Sequence, residues 1–188
     1  LYSTDIKDYY AAVVIDSGSI YWKHEYVKKV SHYFNSGVML LNLSELRKNN
    51  VPLLLSEAKK GSADSFLMDQ NVFNIVFDGK IRLLPMRYNC LYVNLIRAKS
   101  KYSISDLNKT YDTNYFSLDD AMNDAVIIHY SYADKPWKNL DTPLGYLWKK
   151  YCSDAIYEFP SLCDIQTSTG NGEGTCPIVS VIIPVYNT

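Results

Sequence analysis

Residues Tyr33–Asn50, YFNSGVMLLNLSELRKNN, decide the fold class. Gly37 opens an apolar run, Val38–Leu41, that reads as a buried strand. Asn42–Glu45 then supply the polar residues of a helix start. Ahead of the strand stands Phe34-Asn35-Ser36-Gly37, a short polar segment at its mouth. Asn35 can both donate and accept hydrogen bonds, as binding a hydroxylated ligand requires, and Gly37 permits close backbone approach. Taken alone, a turn with a satisfied asparagine is the simpler reading.

Upstream, DYYAAVVID (Asp8–Asp16) reads as a strand with a β-branched, apolar centre. Downstream, VPLLLSEAKKG continues the first helix until Gly61 stops it. A second helix is expected from Ala63 or Ser65 to Phe77. Phe66, Leu67, Phe73, Val76 and Phe77 gather on one side of it. Asp78-Gly79 turns into KIRLLP, a short strand, and the polar stretch beyond, to about Asn114, carries no regular pattern. SLDDAMNDA reads as a short capped helix and DAVIIHY (Asp124–Tyr130) as a buried strand. TPLGYLWKKYC is expected as an amphipathic helix with Thr142 as cap, Pro143 at its first position and basic residues at its end.

The totals narrow the function classes. A length of 188 residues allows one domain with a proper core and an appendage. Hydrophobic residues at 47% and charged residues at 21% are ordinary for a globular protein. A net charge of -1 argues against a nucleic-acid binder, which carries a basic excess. The 17 tyrosines read as half-buried packing residues with a wet hydroxyl. Cys90, Cys152, Cys163 and Cys176 form no CxxC pair and are expected as free thiols. No apolar segment approaches the roughly 18 residues of a membrane helix.

Three further clusters carry possible chemistry. Met68-Asp69-Gln70-Asn71 puts three consecutive polar side chains into the first turns of an otherwise apolar helix; Asp69 would also complement the helix dipole. His129, at a strand end, is an imidazole donor suited to a borderline metal. Lys135-Pro136-Trp137 fixes a lysine able to neutralise a diphosphate, beside a tryptophan able to wall a pocket. Each is weak alone: a turn lysine is usually solvated and a lone histidine usually structural. Their order and spacing are what carry weight.

That order, YFNSGVMLLNL, then MDQNVFN, then a segment ending HY and followed by KPW, resembles the family 8 glycosyltransferases. LYSTDIKDYYAAVV is similar to the segment that follows the family's metal motif, and the resemblance runs from Leu1 to about Tyr151. It implies a GT-A type α/β fold and a retaining transfer from a sugar nucleotide. A divalent cation, manganese as a rule, would be held by a DxD motif and a histidine matching His129. Lys135 matches the lysine on the diphosphate. Asn35 and Gly37 match the family's Asn-x-Gly donor segment, and Asp69 and Gln70 match the pair along the donor sugar. Gln70 stands where a back-face nucleophile would have to be. An amide is a poor nucleophile, so a front-face route with Gln70 stabilising a positive sugar is easier to defend.

Two departures stand out. Tyr132 stands near the place of a glycine common between the histidine and the lysine. No DxD precedes the match, and Asp5 and Asp8 do not substitute for it. Residues 1–152 thus read as the C-terminal part of such a domain, lacking its nucleotide-binding half. Residues 153–176 read as a tail and glycine-rich linker. VSVIIPVYNT, within 177–188, resembles the first strand of a family 2 glycosyltransferase. The expectation is a bacterial tandem enzyme of cell-surface glycan assembly, cytoplasmic or peripheral at the inner membrane face. Its partners would be a nucleoside-diphosphate hexose (a UDP-hexose first) and a glycan, glycolipid or glycosylated protein acceptor, with no nucleic acid. The fragment alone is expected to be inactive and prone to self-association through open strand edges. A non-catalytic glycan-binding or interaction domain is the alternative. A histidine-metal hydrolase is disfavoured, because no second ligand stands at spacing from His129.

Overall fold

The computed structural model describes residues 1, 3–20, 25–60, 68–91, 103–131, 135–139, 141–158 and 185–186. These fall into two compact units, one of residues 1–129 with the chain's end, and one beginning at Tyr130. The sheet belongs to the first unit, in the order β3-β1-β2-β4: β1 Ala11–Ile15, β2 Phe34–Asn42, β3 Ile81–Leu83 and β4 Val185–Tyr186. β1 runs antiparallel to β2 and parallel to β3. β4 adds two residues parallel to β2, at Leu41 and Asn42.

β1 explains why AAVVI is apolar throughout: Ala11, Ala12, Val13 and Val14 are all fully buried. A central strand covered on both faces reads as a continuous apolar run rather than an alternating one. Alternate residues nevertheless serve different cores. Ala11 and Val13 pack with Tyr10, Phe34, Met39, Leu46, Val51 and Phe77, whereas Ala12 and Val14 pack with Ile6, Leu40 and Leu84. Phe77 anchors the first core, edge-on to Tyr10 at 5.6 Å and to Phe73 at 5.4 Å between ring centroids.

β2 starts four residues earlier than the apolar run suggests, and it is interrupted. Val13 pairs with Met39 but Val14 pairs with Asn35, so Ser36, Gly37 and Val38 bulge out of the ladder. The polar segment is therefore no turn at a strand's mouth. It is a bulge within a nine-residue strand, a device that re-aims side chains beside functional sites.

The first helix also differs from expectation. α1 spans Leu43–Lys48, with Asn42 as its cap accepting from Glu45 N, but it stops at Asn49, and α2 begins afresh at Val51 and runs to Lys60. Pro52 lacks an N–H, and its ring would strike the carbonyl four residues back in a continuous helix. Asn50 takes up the break in the left-handed region (φ 51°), which asparagine tolerates. α3 spans Met68–Phe77 and ends at the expected turn, with Gly79 at φ 73°. Gly61, Phe66 and Leu67 lie outside the described residues.

Two corrections concern the later chain. The stretch to Asn114 contains a regular helix, α4 (Ile104–Tyr111), started by a capping box of Ser103 and Asp106 and buried through Leu107. DAVIIHY, by contrast, is not a buried strand. Its ladder closes at a single parallel bridge, Ile128 with Cys90, and Val126 is 56% exposed. The physical reason is the partner: Met86–Tyr88 form a 3-10 turn, so only the Arg87 and Cys90 backbone groups reach the segment. α5, Leu118–Asn123, is the expected short helix, capped by Ser117.

In the second unit α6 spans Gly145–Glu158 rather than starting at Thr142. Leu144 stands at φ 59°, which a helical first turn cannot include, so Thr142 and Pro143 form a preceding turn. Lys149 and Lys150 accordingly sit mid-helix instead of at its end.

Candidate active site

The first unit's polar side chains converge at one end of the sheet, and the topology explains why. β1 and β3 run parallel and both finish there, while antiparallel β2 begins there. The loops leaving the carboxyl ends of strands are where α/β proteins place ligand sites. Asp16 directly follows β1, Asn35 opens the β2 bulge, Asn89 follows β3 by a short turn, and Gln70 comes from the first turn of α3.

These four form one buried network. Asn35 is 8% exposed, Gln70 5%, Asp16 2% and Asn89 1%. Gln70 Nε2 donates to Asp16 Oδ2 at 3.1 Å, and Asn35 Nδ2 donates to Gln70 Oε1 at 3.0 Å and to Asp16 Oδ2 at 3.3 Å. Ser36 N also donates to Gln70 Oε1, at 3.4 Å. Asn35 Oδ1 accepts from Gly37 N at 2.9 Å and from Asn89 Nδ2 at 3.0 Å. Asn89 Oδ1 lies 2.9 Å from His129 Nδ1. A chain of side-chain contacts thus links Asp16 to His129.

Asn74, one turn beyond Gln70, fastens the helix to the strand. Its Oδ1 accepts from Phe34 N at 2.7 Å, and its Nδ2 donates to Phe34 O and Gln70 O, each at 2.8 Å. Phe34 pairs with Ile15 on one side, and on the other, where β4 reaches only Leu41 and Asn42, Asn74 supplies the partners of its N and O. Tyr33 donates through its hydroxyl to Asn71 Oδ1. Burial, with Asp16 and Asp69 nearby, pushes that hydroxyl up to about 12, so it remains a donor. Burial likewise raises the Asp16 carboxyl above the ordinary carboxylate value, against the lowering hydrogen bonds from Gly18, Gln70 and Asn35.

Of the residues singled out in the sequence, Asn35, Gly37, Gln70 and His129 come together in this network. Asp69 stands apart from the buried part: it is exposed and accepts from Ser36 Oγ at 3.3 Å. Lys135 belongs to the second unit. There its ammonium donates to Tyr130 O and stands over the Trp137 ring, 5.4 Å from the centroid. Burial, and next Lys138, lower its pKa. Tyr132 lies outside the described residues.

The sequence reading missed Asp16, Asn89 and Asn74. Asp16 carries a legible signal, a lone carboxylate immediately after a fully apolar strand. Asn89 sits in a segment without pattern, and nothing local marks it.

His129 fits a metal as a single imidazole donor of borderline softness. Among the described residues no group of three His, Cys, Asp or Glu stands together. Cys90 is a free thiol; burial pushes it up to about 12, which keeps it protonated and unreactive. Among the described residues no helix is long and apolar enough to cross a membrane.

Comparison with known proteins assigns the family and the fold. The chain is 30% identical over 164 residues to a lipopolysaccharide 1,2-glucosyltransferase of Escherichia coli, covering 81% of this chain and 42% of the relative. Its fold matches the galactosyltransferase LgtC, solved with donor and acceptor sugar analogues, at TM-score 0.60 and 22% identity, over 79% of this chain and 53% of that one. An active-site mutant of LgtC superposes at TM-score 0.63 and 20% identity, over 81% and 55%. The fold is therefore of the GT-A type, and the chain spans about half the length of these three proteins. A family model described as glycosyl transferase family 8 matches residues 1–141. On that match the chain belongs to glycosyl transferase family 8.

Proposed function

We propose that this chain provides the sugar-binding side of a retaining hexosyltransferase that uses a nucleoside-diphosphate sugar, a UDP-hexose first among candidates. The observation that carries the reading is the junction of Asn35, Gln70 and His129 in one buried network at the carboxyl end of β1. In this reading Asn35, Asp69 and Gln70 contact the donor sugar. Gln70 is held by Asp16, Asn35 and Ser36 N, so its amide meets the sugar in a fixed orientation and loses little freedom on binding. An amide dipole stabilises a developing oxocarbenium charge without forming a bond, which favours front-face transfer with retention.

His129 would be one ligand of a divalent cation, manganese first, with the family's paired aspartates as the others. When bound, the cation neutralises the diphosphate leaving group. Lys135 would take up further leaving-group charge. The acceptor would be a glycan, glycolipid or glycosylated protein of a bacterial surface, and the enzyme cytoplasmic or peripheral at the inner membrane face.

The test is donor hydrolysis and transfer over a panel of UDP- and GDP-hexoses with manganese, in a protein that carries residues 1–188 joined to a DxD-bearing nucleotide-binding segment of the family. Turnover of one donor, lost in His129→Ala and reduced at least 100-fold in Gln70→Ala, supports the reading. A folded protein that binds no nucleotide sugar sinks it, and leaves a non-catalytic glycan-binding domain.

A further inference from the structure

We infer that Asn89 is the positioning residue of His129: it holds the imidazole as the tautomer with its proton on Nδ1, which leaves the metal-binding lone pair on Nε2. The functional part of this inference rests on the reading of His129 as a metal ligand; the tautomer itself does not.

The hydrogen-bond direction follows from groups that cannot be inverted. Gly37 N–H can only donate, and Asn35 Oδ1 accepts it at 2.9 Å. The other end of Asn35 faces Gln70 Oε1 at 3.0 Å, an oxygen whose own orientation is set by the Ser36 N–H, and Asp16 Oδ2 at 3.3 Å. Asn35 therefore has a single orientation. The Asn89 atom 3.0 Å from Asn35 Oδ1 must be its amide nitrogen, because the reverse would bury two carbonyl oxygens against each other. Asn89 then presents Oδ1 to His129 Nδ1 at 2.9 Å. An amide oxygen can only accept, so Nδ1 carries the proton, and a neutral imidazole has only one.

The same short segment also holds the ring in place. Cys90 O, next along from Asn89, accepts from His129 N at 2.9 Å. On another side, a Cβ built on Gly37 would lie 2.2 Å from His129 Cε1 and 2.8 Å from Nδ1. Backbone, ring face and tautomer are thus set by Asn89, Cys90 and Gly37 together. A ligand histidine ordinarily has its second nitrogen fixed by a carboxylate or carbonyl, and here a neutral amide does so. An aspartate at 89 would still accept from Nδ1 but would set its other oxygen against Asn35 Oδ1.

The experiment is a long-range 1H–15N correlation of the imidazoles in metal-free 15N-labelled protein, recorded across a pH series up to about pH 9 so that the deprotonated imidazole is observed. The His129 signals are identified by their loss in His129→Gln. The expected spectrum has the proton on Nδ1; a proton on Nε2 in the wild-type protein overturns the inference without any variant. Asn89→Leu is expected to move the proton mainly to Nε2 and to weaken Mn2+ binding about 10–100-fold by water-proton relaxation. A folded Asn89→Leu protein that keeps the Nδ1 proton, or binds Mn2+ as tightly as wild type, also overturns it. If Asn89→Leu does not fold, Asn89→Asp decides, expected to keep the Nδ1 proton at reduced stability. Mn2+ binding in the wild-type protein that is indifferent to His129→Gln defeats the ligand reading and leaves the tautomer result standing.

Discussion

The α-carbon of Gly37 lies directly against the imidazole of His129, so that an added Cβ would fall 2.2 Å from Cε1 and 2.9 Å from Asn35 Oδ1. The glycine is thus required for a neighbouring side chain, and its φ is not the reason. Gly37→Ala is expected to push the ring off Asn89, cost about 1–3 kcal/mol in chemical denaturation as overpacking does, and, in the enzyme proposed above, abolish transfer. Unchanged stability together with unchanged turnover would contradict this packing.

Gln70→Glu sets a second carboxylate at the place of Nε2, 3.1 Å from Asp16 Oδ2. Two like charges at that distance cannot both ionise freely, so the pair's proton affinity rises in the folded state. A raised folded pKa contributes stability below the unfolded carboxylate value, about 4, and that contribution disappears as pH rises through the folded one. The variant should be less stable than wild type at pH 7 by about 1–3 kcal/mol, with the difference shrinking toward pH 4. A pH-independent difference in urea denaturation would exclude the close carboxylate contact.

Asp16 gives a subtler signature in the wild-type protein. Its carboxyl is raised by burial, so its favourable contribution is present at and below the ordinary carboxylate range and fades as pH rises. Asp16→Asn removes that titration and sets an amide N–H against either the Gly18 N–H or the Gln70 and Asn35 donors. Wild type should therefore exceed the variant most at about pH 4 and less at pH 7. An advantage that grows with pH would mean a folded pKa below the unfolded one.

Asn74→Leu strips partners from Phe34 N, Phe34 O and Gln70 O at once. Each unsatisfied buried group costs about 1–3 kcal/mol, so a loss of at least about 3 kcal/mol is expected in thermal or denaturant unfolding. Because Asn74 touches the strand as well as the helix, hydrogen exchange at Phe34 should accelerate before that of Val13. Equal protection at both amides would deny Asn74 this fastening role.

The central strand and the α3 core face were legible because burial writes itself into composition: AAVV has no polar atom to place, and Phe73 and Phe77 recur at helical spacing. α4 went unread: the Ser103–Asp106 pair marks a helix start, but Leu107 is its one buried residue, so no apolar stripe follows. DAVIIHY misleads because an apolar run states only that a segment prefers burial, and its partner at 86–90 cannot sustain a ladder. In the site, Asn35, Gln70 and His129 stood within recognisable spacing. Asn89 did not, since its role consists of two amide contacts 54 and 40 residues away. Long-range hydrogen bonding leaves no local periodicity to read.

The three bulged residues of β2 divide that strand into two independently indexed halves. Met39–Leu41 take their register from the apolar pairing with β1, whereas Asn35 takes its place from Val14 and from the polar network. A length change within Ser36–Val38 would leave the core half in step and swing only the polar half. The bulge works as a joint, letting the fold tolerate drift in its hydrophobic half while the angle at which Asn35 enters the site is adjusted separately.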